Sequence, residues 1–157
     1  YCVQLVLDSG KPHKKIEILF TIGEELYVKG SDVFDYSKVT AKQAYVLDLS
    51  EETTFNIGTI QGGTATNIMP DCCVLTAYET PLESKSVTDF QKACEILGFS
   101  GELTGTFGGS DNNSFAKNGI EGLVLSNGMY NAHSTREYTT VDDLYKGAEL
   151  IGQLILL

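Results

Sequence analysis

The sequence predicts an α/β fold, and three observations carry that expectation. Short apolar runs rich in β-branched residues recur at 16–20, 44–47 and 120–125, with helix-patterned stretches between or after them. Acidic side chains follow directly on two of these runs, at the end where a parallel strand opens into a crevice. Residues 51–86 break the alternation, with two strand-like runs and no helix between them, so an antiparallel excursion or second module is expected there.

Taken in order, residues 1–10 hold Val3, Leu5, Val6 and Leu7 before a Ser9-Gly10 stop, which suits a helix end or a short strand equally. Ile16, Ile18, Leu19 and Phe20 read as a strand buried on both faces, closed by a turn at Gly23. Run 44–47 delivers Asp48 at its carboxyl end. Runs 55–60 and 72–78 are further strand candidates. The double glycine in the loop 61–67 serves close approach to a ligand or chain as well as it serves a plain hairpin.

Thr88 with Gln91 three residues on is a capping-box signature, placing Phe90, Cys94 and Leu97 on one face before a Gly98 stop. After a glycine-rich turn at 105–109, Asp111 stands where it could cap a short helix holding Phe115 and Ala116, closed by Gly119. Strand 120–125 and a loop at 126–139 carrying His133 follow. Thr140 then caps a final helix whose Val141, Leu144, Ala148, Ile151 and Ile155 are expected to face the core.

Composition bounds the function. At 157 residues, 42% hydrophobic and 20% charged, the chain suffices for one ordinary domain. Acids outnumber bases 21 to 11, a net charge of −10, which argues against a nucleic-acid partner. No apolar tract reaches membrane-spanning length, and no basic amphipathic stretch suits a membrane surface. The four cysteines, Cys2, Cys72, Cys73 and Cys94, form no CxxC pair, so a reducing cytoplasm is the expected setting. His13 lies in the basic stretch 11–15 and is expected in solvent.

The polar groups that follow strands are Glu24, Glu25, Asp48 and His133. Carboxylates with an imidazole are a usual ligand set for catalytic zinc or manganese, with one carboxylate left to move protons. The plain alternative is a solvated acidic turn and a surface histidine.

The blocks IEILFTIGEE, YVLDLS, FNIGTIQGGTATNIMPD and FGGSDNNSFAKNGIEGLVLSNGMYNAHSTREYT, in that order, cover well over half the chain. Together they resemble the dinuclear zinc peptidases of the M20 kind, and most nearly their peptidase-T-like (tripeptide aminopeptidase) branch. The resemblance implies an α/β catalytic domain, with a mixed, largely parallel sheet and flanking helices, at residues 1–50 and 87–157. It makes 51–86 the remnant of an inserted α+β lid that also dimerises. It further implies two zinc ions, with manganese or cobalt as alternatives, and a short peptide as substrate. By position, Glu24 matches the general base, Glu25 and His133 ligands of one metal, and Asp48 a ligand of the other. Asn67 matches a lid residue that reaches substrate, and Gly108, Gly109 and Ser110 a loop lining the cleft.

Departures accompany the matches. The sequence has no His-x-Asp motif or bridging Asp ahead of the Glu pair, and Thr80 stands where the family usually has an Arg. Long runs of lid are missing at 49–54 and near 81–86. The resemblance therefore implies either an abridged exopeptidase or a non-catalytic binding or dimerisation module without metal. A carboxypeptidase or deacylase of the same family is the further alternative.

Overall fold

Near the start of the chain lies a helix, α1 (Cys2–Asp8), in the computed structural model, which describes residues 1–50, 59–62, 73–76, 80–104 and 109–157. Val6, 5% exposed, turns inward onto the last helix, where a β-carbon built on Gly152 would meet it at 3.8 Å. Further along lie a one-turn helix α2 (Lys29–Asp32), strand β1 (Gln43–Ser50), strands β2 (Thr59–Gly62) and β3 (Cys73–Thr76), and helix α3 (Lys85–Leu97). Helix α4 (Asn112–Lys117), strand β4 (Glu121–Met129) and helix α5 (Val141–Leu156) complete the described elements. The arrangement is α/β: β1 and β4 pair in parallel, in register from Gln43↔Glu121 to Leu47↔Leu125, with helices packed against them.

The described parts of the two middle strand candidates, β2 and β3, pair antiparallel from Thr59↔Thr76 to Gly62↔Cys73. The remainder of both candidates, and most of the loop between them, lies outside the described residues.

The core sits where α3 and α5 meet β4. Ala93, Cys94, Leu125, Leu150 and Leu154 are buried together, with Tyr45, Phe90, Leu97, Leu123 and Ile151 packed around them. Leu123 and Leu125 are two apart on β4 and so share the face turned to this core. Gly122 faces the other way, and Asn112 fills its missing side-chain space: a β-carbon there would lie 1.6 Å from Asn112 Oδ1.

The structure corrects the expected strand at 16–20. The segment belongs to no strand, and Ile18, Phe20 and Ile22 are 60%, 89% and 81% exposed. An apolar, β-branched run gives strand character, but a strand exists only where another chain edge completes its ladder. Among the described residues β1 pairs with β4 alone, and no strand lies against 16–20. Side chains hold the segment instead. Glu17 accepts from the Thr40 and Ala41 amides at 3.0 and 3.1 Å and pairs with Lys15 at 2.7 Å.

Two helix assignments also shift. Helix α3 begins a turn before the Thr88 box: Ser84 is its cap, accepting from the Val87 amide at 3.3 Å, and Thr88 lies inside, donating to the Lys85 carbonyl. The Glu121 carboxylate receives the Ser86 amide and hydroxyl, both at 2.6 Å, and places negative charge at the positive end of this helix. Gly98 ends it in the left-handed region, as expected. In α5, Thr140 caps as the sequence predicts, accepting from the Asp143 amide at 3.1 Å. The buried face is however that of Leu150 and Leu154, while Val141 and Leu144 are exposed, because only the later turns of the helix meet the core. His13 is exposed, but its neighbour Lys14 reaches Asp89 of α3 at 3.1 Å.

Candidate functional site

The Glu pair stands on a tightly wound loop. Gly23, at φ +66°, turns the chain into the 3₁₀ turn Glu24–Leu26, and Tyr27 and Val28 follow with φ of 62° and 50°. A left-handed, β-branched Val28 is a costly conformation, so neighbouring contacts must hold the loop. Ahead of the glutamates, the Thr21 hydroxyl donates to Oδ2 of Asp111. Behind them, Ser31 of α2 donates to Ser114 of α4 at 3.2 Å, both serines being buried. The loop closes on itself at Gly30, where a β-carbon would sit 2.3 Å from the Ile22 carbonyl oxygen.

Asp48 comes from β1. The β1–β4 register shifts between Leu47 and Leu49, so Asp48 is the extra residue of an irregularity that re-aims its side chain. The third segment is the loop after β4. Tyr130 and Tyr138 exchange backbone bonds of 3.0 and 3.1 Å and stack their rings at 4.9 Å, closing a loop with His133 at its crown.

These segments meet. His133 Nδ1 lies 3.5 Å from Glu25 Oε2, with both side chains largely exposed. Two donors on a tetrahedral zinc with bonds of about 2.0–2.1 Å stand roughly 3.4 Å apart, so this pair has the spacing of one edge of such a site. Glu24 is half-buried, and its carboxyl is pushed above the ordinary range by burial, then by the charges of Asp48, Glu25 and Asp111; His133 opposes. Burial likewise raises Asp48, followed by Asp111 and Glu25, with His133 again opposing. Among the described residues no three His, Cys, Asp or Glu side chains close around one point tightly enough to hold an ion. The recess thus has one ligand-spaced pair, with Asp48 and Glu24 within electrostatic reach of it.

Asp111 belongs to this cluster, although its place before α4 predicts a helix cap. It occupies the cap position of α4 but makes no side-chain capping bond. The residue is 8% exposed, with Oδ2 on Thr21 and Oδ1 buried without a partner among the described residues. An Asp before a short helix reads as a cap from spacing alone, and nothing local shows that the preceding turn aims it elsewhere.

Of the other expected site residues, Gly109 is exposed, and Ser110 is buried, its hydroxyl accepting from the Asn112 amide at 3.2 Å. Asn67 and Gly108 lie outside the described residues. Thr80 has a framework role, donating to the Gly122 carbonyl at 2.6 Å. Beside the His133 loop, Met129, Glu137, Tyr138, Thr139 and Leu144 line a cavity of about 340 Å³. No described helix is long and apolar enough to cross a membrane.

Comparison with known proteins adds a family and a fold. The model of the family described as "Peptidase family M20/M25/M40" matches residues 1–157. The uncharacterized protein YqjE of Bacillus subtilis (strain 168) is 22% identical over an alignment of 249 residues, which takes in 98% of this chain and 67% of that protein. Stretches of the relative therefore have no counterpart here. Two solved structures share the fold. The aminopeptidase PepT from Bacillus cereus ATCC 10987 superposes with a TM-score of 0.78 at 22% identity. A tripeptidase from Staphylococcus aureus subsp. aureus mu50 does so with 0.79 at 17% identity. Each match covers 99% of this chain and 67% of the other.

Proposed function

Because the chain belongs to peptidase family M20/M25/M40, we propose that it is a metal-dependent exopeptidase releasing the N-terminal residue of short peptides, in the manner of a tripeptide aminopeptidase. One observation carries the reading: segments remote in sequence bring Glu25 against His133, with Glu24 and Asp48 within electrostatic reach of the pair. The structural neighbours, an aminopeptidase and a tripeptidase, favour the N-terminal end of a peptide.

The donor chemistry fits divalent cations. Carboxylate oxygens and an imidazole nitrogen suit zinc, manganese or cobalt, and the buried, unpartnered Asp111 Oδ1 adds negative charge that the described residues leave uncompensated. Glu25 and His133 would hold one ion, and Asp48 would contribute to a second. When bound, such ions polarise the scissile carbonyl and acidify a water. Glu24, half-buried and outside the Glu25–His133 pair, is the proton carrier: its carboxylate takes a proton from the attacking water and returns it to the leaving amine. Gly109 and Ser110, with Gly108 and Asn67, are the proposed substrate contacts. Residues 51–86 are the proposed lid remnant, through which a homodimer would form.

The test is Glu24→Gln. It should retain bound metal and lower kcat on tripeptides by roughly 10²–10⁴-fold, the span usual for a proton-transferring group. Metal content by mass spectrometry and turnover by amine release are the two readouts, and unchanged turnover would end the proposal. Thr80, bonded to the Gly122 carbonyl at the position where the resemblance expects an Arg, favours a second reading, a metal-free binding or dimerisation module. Supplementation with zinc or manganese separates the two, since a chain that retains neither is the module. Peptides blocked at one terminus or the other distinguish an aminopeptidase from a carboxypeptidase or deacylase.

A further inference from the structure

We infer that Glu137 is the positioning residue of His133, holding the main chain of the loop so that the imidazole meets Glu25; only the catalytic consequence rests on the metal-peptidase reading. The backbone N–H of His133 donates to Glu137 Oε2 at 2.8 Å. His133 has a φ of +60° and Asn131 one of +52°. Asparagine and histidine enter that region more readily than most residues, but it remains less favourable than negative φ, so a contact that fixes the main chain there helps to keep the loop in place. A left-handed residue also points its N–H away from any ladder, so the amide must find a partner elsewhere. Glu137 is that partner, four residues on.

The rest of the loop makes the hold effective. The bridge and stack of Tyr130 and Tyr138 fix its two ends. Inside, Ser134 Oγ donates to the Asn131 carbonyl at 2.7 Å and accepts from the Arg136 amide at 3.1 Å, while the Glu137 amide reaches the Ser134 carbonyl at 3.2 Å. These bonds set where residue 137 begins, and the Glu137 carboxylate sets where residue 133 ends up. The chain of contacts runs from Glu137 to the His133 amide and from the His133 ring to Glu25 at 3.5 Å. A glutamate on an exposed loop would ordinarily be solvated. This one is turned back onto the main chain.

The experiment compares the full chain with Glu137→Ala and Glu137→Gln, the latter keeping an oxygen able to accept the amide. Three quantities are read: amide exchange at residue 133, zinc affinity by chelator competition, and kcat and KM on a tripeptide at saturating zinc. Glu137→Ala should speed exchange and weaken zinc binding by roughly 10- to 100-fold, the range for removing a partner that orients a metal ligand. Glu137→Gln should stay close to the natural chain in both. Should Glu137→Ala keep natural exchange and affinity, the inference is overturned. It is overturned too if both variants raise KM alone with zinc affinity unchanged, since Glu137 would then be a substrate contact. A natural chain that takes no zinc, while Glu137→Ala still loses amide protection, supports the positioning role and sinks the peptidase reading.

Discussion

The two loops that meet at Glu25 and His133 are held in opposite ways. The His133 loop leaves β4 and returns into α5, the elements that supply Leu125, Leu150 and Leu154 to the core. The Glu loop follows a segment whose large apolar side chains face water, Phe20 at 89% and Ile22 at 81% exposure, and it is located by Thr21 on Asp111 and Ser31 on Ser114. One half of the cluster thus springs from elements anchored in the core, the other from a segment located by a few polar bonds. Burial is cooperative across the core, whereas a loop held by single hydrogen bonds opens locally and at lower free energy.

The comparison is broken most forcefully through Leu154, which is 3% exposed at the centre of the core. Leu154→Ala should cost about 2–5 kcal/mol in a denaturant titration, whereas Phe20→Ser should fall within about 0.5 kcal/mol of the natural chain. A large loss from Phe20→Ser would mean that segment 16–22 is buried in solution and that the contrast is false.

The next largest effect sharpens the contrast within the site. Thr21→Val removes the hydroxyl that serves Asp111 Oδ2 and leaves a buried carboxylate with neither oxygen bonded among the described residues. The cost should be about 1–3 kcal/mol, the usual desolvation penalty of such a group. It should show as faster amide exchange around residues 23–28, with exchange at 130–138 unchanged. Equal loosening of both loops would show that they are one cooperative unit.

The same division explains what the sequence could disclose. Strands β1 and β4, the Thr140 cap and the Gly98 stop depend on local pattern and appear where the sequence puts them. Residues 16–20 carry a strand's pattern, but pairing depends on which edge lies alongside, and that is a property of the assembled fold. The start of α3 was misplaced because Ser84 and Thr88 are both cap-forming residues, and the choice falls to Glu121, far along the chain. Asp111 was read as a cap for a related reason: its partner Thr21 is 90 residues away. Among the acids, Asp48 does come from a parallel strand, whereas the Glu pair follows a segment that forms none, so the pattern that singles out all three has its structural counterpart only at Asp48. The fourth acid, delivered by a loop before a helix, carried no such signal.

The smallest expected effect concerns the first fastening of the Glu segment. The Lys15 ammonium, then the Thr40 hydroxyl and the Ala41 and Thr40 amides, hold the Glu17 carboxyl down to about 2 from an ordinary 4.5. A carboxylate whose proton affinity is lowered by folding stabilises the fold while it is ionised. That contribution is complete above about pH 4.5 and fades as pH falls toward about 2. Because these partners are exposed and screened by solvent, the gain is small and salt-sensitive. Glu17→Gln should therefore lower Tm slightly near neutral pH and at low salt, and the difference from the natural chain should vanish by about pH 2. A difference that is constant across that window would show that Glu17 acts through the shape of its bonds to residues 40 and 41. The charge would then contribute nothing to fastening the Glu segment.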